Sequence, residues 1–176
     1  MGRNVEIKAR LSGEDELQEL ARRLSDLPAD ELRQEDTFFA TPAGRLKLRD
    51  FGDSSGELIL YERANPEGPR LSRYAIARTP DPSVLNGILS AVMPVVGVVR
   101  KRRRVFLSGQ TRIHLDAVED LGCFLELEVV LRDGQLEAEG TVIADKLLDS
   151  LGIGRSQLVG EAYIDLLLAQ SRAATV

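Results

Sequence analysis

The sequence predicts an α+β, mainly-β domain in which eight antiparallel strands form a barrel or sandwich and helices pack outside. Three observations carry that expectation. Segment after segment alternates apolar and charged residues at period two, the mark of a strand with two unlike faces. Short turns join most neighbouring segments, which suits antiparallel pairing and leaves no room for the long crossovers of a parallel sheet. The 176 residues hold no internal repeat, low-complexity stretch or linker, so 1–176 reads as a single domain with enough chain to bury a core.

Residues 3–10 open the chain with Val5, Ile7 and Ala9 on one face and Asn4, Glu6, Lys8 and Arg10 on the other. Ser12 and Asp15 form a loose capping box for a helix over about 13–25, whose Leu17, Leu20, Ala21 and Leu24 recur at helical spacing. Strands follow at 32–40, 45–51, 57–63 and 70–79. Asp81 and Pro82 start a short helix over 82–91. Three more strands occupy 95–108, 111–118 and 123–131. A helix over about 135–151 stops at Gly152, and a last short helix is expected at 160–169.

Composition narrows the function. Net charge is −5, so the molecule as a whole does not attract nucleic acid. No apolar run is long enough for a membrane span, and the N-terminal residues lack the apolar centre of a signal peptide, so a cytoplasmic protein is expected. One cysteine, Cys123, excludes an intramolecular disulfide and a cysteine zinc cluster. One histidine, His114, makes a His-rich metal site impossible and is read as structural. Any metal would therefore have mainly carboxylate ligands, which suits Mg²⁺ or Mn²⁺.

The informative pattern is which strand faces carry charge. Glu6 and Lys8 share a face, as do Lys47 and Arg49, Lys101 and Arg103, and Glu126 and Glu128, each pair at i, i+2. Arg45, Arg63, Arg73 and Asp116 add to these faces, whereas Arg102 and Arg104 have the opposite parity and should point outward. Acids lie toward both chain ends and bases between them. If the sheet closes, carboxylates from the first and last strands converge beside a wall of Arg and Lys. Such charges cannot sit in a dry interior unpaired, but a wet tunnel receiving a polyphosphate and a divalent cation would accommodate them.

The segments VEIKAR, GRLKLRDF, ELILYER, RKRRRVF and TRIHLDAVEDLGCFLELEVVL, in that order, resemble the CYTH superfamily, the triphosphate tunnel metalloenzymes, over residues 3 to 168. That resemblance implies an eight-stranded antiparallel barrel tunnel. It implies Glu6, Asp116, Glu126 and Glu128 as metal ligands. Lys8, Lys47, Arg49, Arg63, Arg73, Lys101 and Arg103 would bind substrate, with Lys8, Arg49 and Lys101 catalytic. One departure stands out: the family's Glu-x-Glu-x-Lys signature reads Asn4-Val5-Glu6-Ile7-Lys8, an amide in place of the first acid.

The function implied is Mg²⁺- or Mn²⁺-dependent hydrolysis of a triphosphate compound, such as a nucleoside triphosphate or inorganic tripolyphosphate. A class IV adenylate cyclase, converting ATP to cyclic AMP and pyrophosphate, needs the same charges. The His-Phe pair that precedes the signature in such cyclases is missing here. A non-catalytic polyphosphate- or nucleotide-binding module is the other alternative. The expected partner is a small triphosphate, with no nucleic acid and no membrane; a homodimer is left open.

Overall fold

In a computed structural model, residues 2–13, 15–63 and 69–173 are described, apart from the side chains of Glu16 and Arg63. The strands are β1 (Gly2–Leu11), β2 (Asp30–Phe39), β3 (Arg45–Asp50), β4 (Gly56–Arg63), β5 (Arg70–Thr79), β6 (Val95–Ser108), β7 (Thr111–Val118) and β8 (Gly122–Val130). All pair antiparallel and close into a barrel in the order β1-β5-β4-β3-β2-β6-β7-β8. The helices are α1 (Asp15–Leu24), α2 (Pro82–Val92), α3 (Glu137–Ser150) and α4 (Tyr163–Ala173). The last helix thus begins at Tyr163, three residues after the expected start at 160, because the chain just before it is tied to β1. Val159 N–H donates to the Lys8 carbonyl at 2.9 Å, and Leu158 bridges to Ala9.

The apolar core lies outside the barrel, not within it. Val5, Ile7 and Ala9 of β1, Ile113 and Leu115 of β7, and Leu125, Leu127 and Val129 of β8 are all at most 1% exposed. They pack beneath Leu17 and Ala21 of α1 and Ala144 and Leu148 of α3. At roughly 25 cal/mol per Å² this buried apolar surface is the main favourable contribution to folding. Gly140 allows α3 to lie close: a Cβ there would meet Leu131 Cδ2 at 2.7 Å and Val5 Cγ2 at 2.8 Å. Because side chains alternate, burying Val5, Ile7 and Ala9 outward forces Asn4, Glu6 and Lys8 inward.

A second apolar cluster seals one end. Phe38, Val99 and Phe124 from the barrel meet Ala162, Tyr163 and Ile164. The start of α4 is fixed across that end from two sides. Arg45 of β3 pairs with Asp165 at 2.7 Å, and the Gly97 backbone of β6 leaves room for Ile164. The opposite end, lined by Asp30, Glu57 and Arg78, is open.

Candidate active site

The barrel encloses a cavity of about 450 Å³ whose lining includes Glu6, Lys8, Asp36, Lys47, Arg49, Lys101, Arg103, His114, Glu126 and Glu128. Burial on this scale requires partners for every charge, and the barrel supplies them as two clamps. In the first, Asp36 of β2 accepts from Arg49 Nε at 2.7 Å, Arg49 Nη2 at 2.8 Å and Lys47 Nζ at 2.8 Å. In the second, Asp116 of β7 accepts from Arg103 Nε and Nη2, both at 2.6 Å, from Lys101 Nζ at 3.3 Å, and from the Tyr163 hydroxyl at 2.9 Å. Strand register makes both: Asp36 lies opposite Arg49, and Arg103 opposite Asp116.

The electrostatics follow from this pairing. Burial disfavours the charge on Asp36, but Arg49, Lys47 and Lys101 outweigh it and hold its carboxyl well below the usual carboxylate range. Asp116 is held low in the same way by Arg103 and Lys101. Burial lowers Lys47 to about 8, helped by Arg49 and opposed by Asp36. It lowers Lys101 as well, again with a neighbouring arginine, Arg103, adding to the effect. Each clamp sets two bases against one acid, so each keeps about one net positive charge.

The candidate metal ligands converge on the adjoining wall. One donor atom each from His114, Glu126 and Glu128 fall within 4.8 Å of one another. Glu126 also accepts from Arg103 at 2.7 Å and lies 3.9 Å from Lys8, and Glu128 is 3.3 Å from Arg112. His114 Nδ1 is buried, 3.7 Å from Glu126, and has no hydrogen-bond partner among the described residues. Burial, with Arg103 nearby, lowers the His114 pKa, so the imidazole is neutral near pH 7, the form that ligates metal. An orphaned imidazole nitrogen beside two carboxylates fits a divalent cation. Glu6 lines the same cavity and lies opposite Glu128 in register, outside that three-residue cluster.

Two expected site residues differ from the expectation, Arg73 in its position and Asp116 in its partners. Arg73 is exposed on the outer wall, because the inward parity of β5 belongs to Ser72, Tyr74 and Ile76. Asp116 is wholly buried, and its oxygens are taken up by Arg103, Lys101 and Tyr163, which makes it a counter-ion rather than an open metal ligand. The Arg63 side chain lies outside the described residues; its backbone pairs with Ser72. Lys8, Lys47, Arg49, Lys101 and Arg103 do come together, as do Glu6, Glu126 and Glu128.

Three residues of the site went unassigned in the sequence. Asp36 could have been found from its parity with Gln34 and Phe38. His114 shares its face with Asp116, a signal set aside because a lone histidine is usually structural. Tyr163 carried no local signal. It reaches the cavity from α4, with Lys8 Nζ 3.8 Å and Lys101 Nζ 5.1 Å from its ring centroid and Phe124 edge-on at 5.0 Å.

A closed barrel with inward bases clamped on buried acids, next to a His/Glu/Glu cluster, defines an anion-binding tunnel with a candidate metal centre. The CYTH domain model matches residues 2–163, and the chain belongs to that family. Solved structures share the fold. The PH1012 protein of Pyrococcus horikoshii OT3 superposes with a TM-score of 0.81 at 22% identity, covering 93% of this chain and 98% of that one. A candidate adenylate cyclase of Vibrio parahaemolyticus gives 0.74 at 17%, covering 93% and 97%. A Hippeastrum protein, described as a candidate adenylyl cyclase with a dominant triphosphatase activity, gives 0.66 at 16%, covering 97% and 96%. No curated protein matches the sequence. Among the described residues, no helix is long and apolar enough to cross a membrane.

Proposed function

We propose that this protein is a divalent-metal-dependent phosphohydrolase acting on small triphosphate compounds. The observation that carries the reading is the pair of clamps, Lys47–Asp36–Arg49 and Lys101–Asp116–Arg103, facing one cavity with the His114, Glu126 and Glu128 cluster beside them. The clamps hold four bases in place before any ligand arrives, so little reorganisation is needed when charge shifts between phosphate oxygens. With Nε and Nη2 on Asp36, Arg49 keeps its Nη1–Nη2 edge for a forked contact to two oxygens, whereas Arg103, with Nε on Asp116 and Nη2 on both Asp116 and Glu126, keeps Nη1 for a single contact. Lys8 is buried at the sealed end, where it also donates to the Glu161 carbonyl at 3.1 Å, and it would meet the innermost phosphate.

The net charge of the clamps is too small to offset a triphosphate alone. Mg²⁺ or Mn²⁺ held by His114, Glu126 and Glu128, with Glu6 next to them, would supply the remaining positive charge and polarise a phosphate oxygen. Lys8, Arg49 and Lys101 would then stabilise the charge that develops as water attacks the terminal phosphorus. The triphosphatase activity credited to the Hippeastrum protein supports this direction over cyclisation. The test is a pair of assays with Mn²⁺: orthophosphate release from inorganic tripolyphosphate, and cyclic AMP formation from ATP. Orthophosphate release is expected. Cyclic AMP without tripolyphosphate hydrolysis would establish the cyclase instead, and binding without turnover of either would establish a binding module.

A further inference from the structure

Helix α2 is apolar on two faces. Leu85, Leu89 and Met93 recur every fourth residue and are half-buried where the helix packs on β2 and β3. Val84, Ile88 and Val92 recur at the same spacing one position earlier, and they are 58%, 57% and 74% exposed. Gly87 and Ala91 fill the gaps in that outer stripe, and both are exposed. Val95 and Val96, directly after the helix, are exposed as well. From Pro82 to Val99 the chain has no charged residue, although charged residues make up 29% of the whole. The other three helices pack on β1, β6 and β8. The outer face of β4 and β5, by contrast, shows Leu60, Ala75 and Ala77 to solvent. The start of α2 adjoins β4: a Cβ on Gly56 would meet the Pro82 Cβ at 2.7 Å.

Packing within one chain does not account for this stripe. A glycine weakens the middle of a helix. Among the described residues, however, no atom lies within 4 Å of where a Cβ on Gly87 would stand, and its backbone is not left-handed. A continuous apolar stripe on a surface helix marks a face that something covers. α2 has neither the basic nor the aromatic residues with which a surface helix holds a membrane. A second copy of the chain suits it better. Net charge is −5, so two copies repel across most of their surfaces, and α2 is where they can meet without bringing like charges together. We propose that the protein self-associates through α2. The Val84–Ile88–Val92 stripes of two copies pack on each other about a two-fold axis, and Gly87 lets the helices approach closely. The exposed apolar residues of α2 and its flanks amount to roughly 500 Å² per copy, so pairing them would bury about 1,000 Å², the size at which a specific interface begins.

Sedimentation equilibrium of the full chain over a concentration series tests this, and a monomer–dimer equilibrium is expected. Ile88→Asp and Val92→Asp each place a carboxylate inside the contact and should weaken the dimer at least ~10-fold. Both positions face solvent within one chain, so the far-ultraviolet circular dichroism of the variants should match that of the unaltered protein. Hydrogen exchange on the unaltered protein gives a second reading that needs no variant: the amides of 84–92 should exchange more slowly as dimer accumulates. A monomer at every concentration up to the millimolar range would overturn the proposal. So would a dimer that both variants retain, or one whose formation leaves exchange over α2 unchanged, since either would assemble through another surface.

Discussion

Lys8 and Tyr163 stand in cation–π contact, the ammonium 3.8 Å from the ring centre, and so tie the first strand to the last helix inside the tunnel. The same tyrosine donates its hydroxyl to Asp116, the acid that orients Lys101 and Arg103. Docking of α4 and alignment of three bases are therefore one structural event. Tyr163→Phe removes the hydroxyl and keeps the ring, and Tyr163→Leu removes both. Loss of a hydrogen bond to a buried carboxylate should cost about 1.5–3 kcal/mol of stability in the first variant, and the second should lose more. Denaturant unfolding checks the order; equal stability of all three proteins would contradict it.

Asp36 is the counter-ion of Lys47 and Arg49. Asp36→Asn leaves two buried bases without their acid, which should cost about 3–5 kcal/mol of stability. An added polyanion can take the lost carboxylate's place. Tripolyphosphate is accordingly expected to raise the melting temperature of Asp36→Asn by more than it raises that of the unaltered protein. A smaller shift in the variant would mean that phosphate does not approach Lys47 and Arg49.

The lowered pKa of Lys47, about 8, gives a pH dependence with a definite sign. Below pH 8 the ammonium is charged both folded and unfolded. Between about 8 and its ordinary value near 10.5 only the unfolded state keeps the proton, so this group makes stability rise with pH across that window. Ligand binding runs the other way: triphosphate affinity should fall as pH climbs from 7 to 9. At pH 8.5 binding should take up protons, visible as buffer-dependent heats in calorimetry. Lys47→Met should diminish that uptake; unchanged uptake in this variant would assign it to another group.

Glu126 and Glu128 offer carboxylate oxygens beside His114 Nδ1. Glu126→Gln or Glu128→Gln should weaken Mn²⁺ binding by at least ~10-fold, read by electron paramagnetic resonance of free Mn²⁺. Asn4 faces the same cavity, is 3% exposed, and its Oδ1 has no hydrogen-bond partner among the described residues. Asn4→Glu adds a charge near Glu6 and should tighten Mn²⁺ binding, since the cation offsets the added carboxylate repulsion. Unchanged Mn²⁺ affinity in Asn4→Glu would place that residue beyond the cation's reach.

How much of this was readable from the chain depended on each strand's own alternation. In β1, β3 and β8 one parity is mainly apolar and the other carries most of the charge, so the inward set could be written down directly. In β5 the run Arg70-Leu71-Ser72-Arg73-Tyr74 places arginines on both parities. The family pattern then pointed to Arg73, while the fold turned Ser72 and Tyr74 inward. The part played by Asp116 depends on its being opposite Arg103, and register between β6 and β7 is set by the whole sheet, not by either segment alone. Tyr163 reaches Asp116 from 47 residues away in the chain, after the intervening α3 has packed against β1 and β8, and no local pattern encodes that contact.

In the proposed function one charged wall binds a triphosphate and a divalent cation together. It is tested most directly by a crystal structure with Mn²⁺ and a methylene-bridged tripolyphosphate, using anomalous scattering to locate the metal. A manganese peak is expected among His114, Glu126 and Glu128, with phosphate oxygens on Arg49, Lys101 and Arg103. Manganese outside that cluster, or phosphate bound only on the outer wall near Arg73, would contradict it.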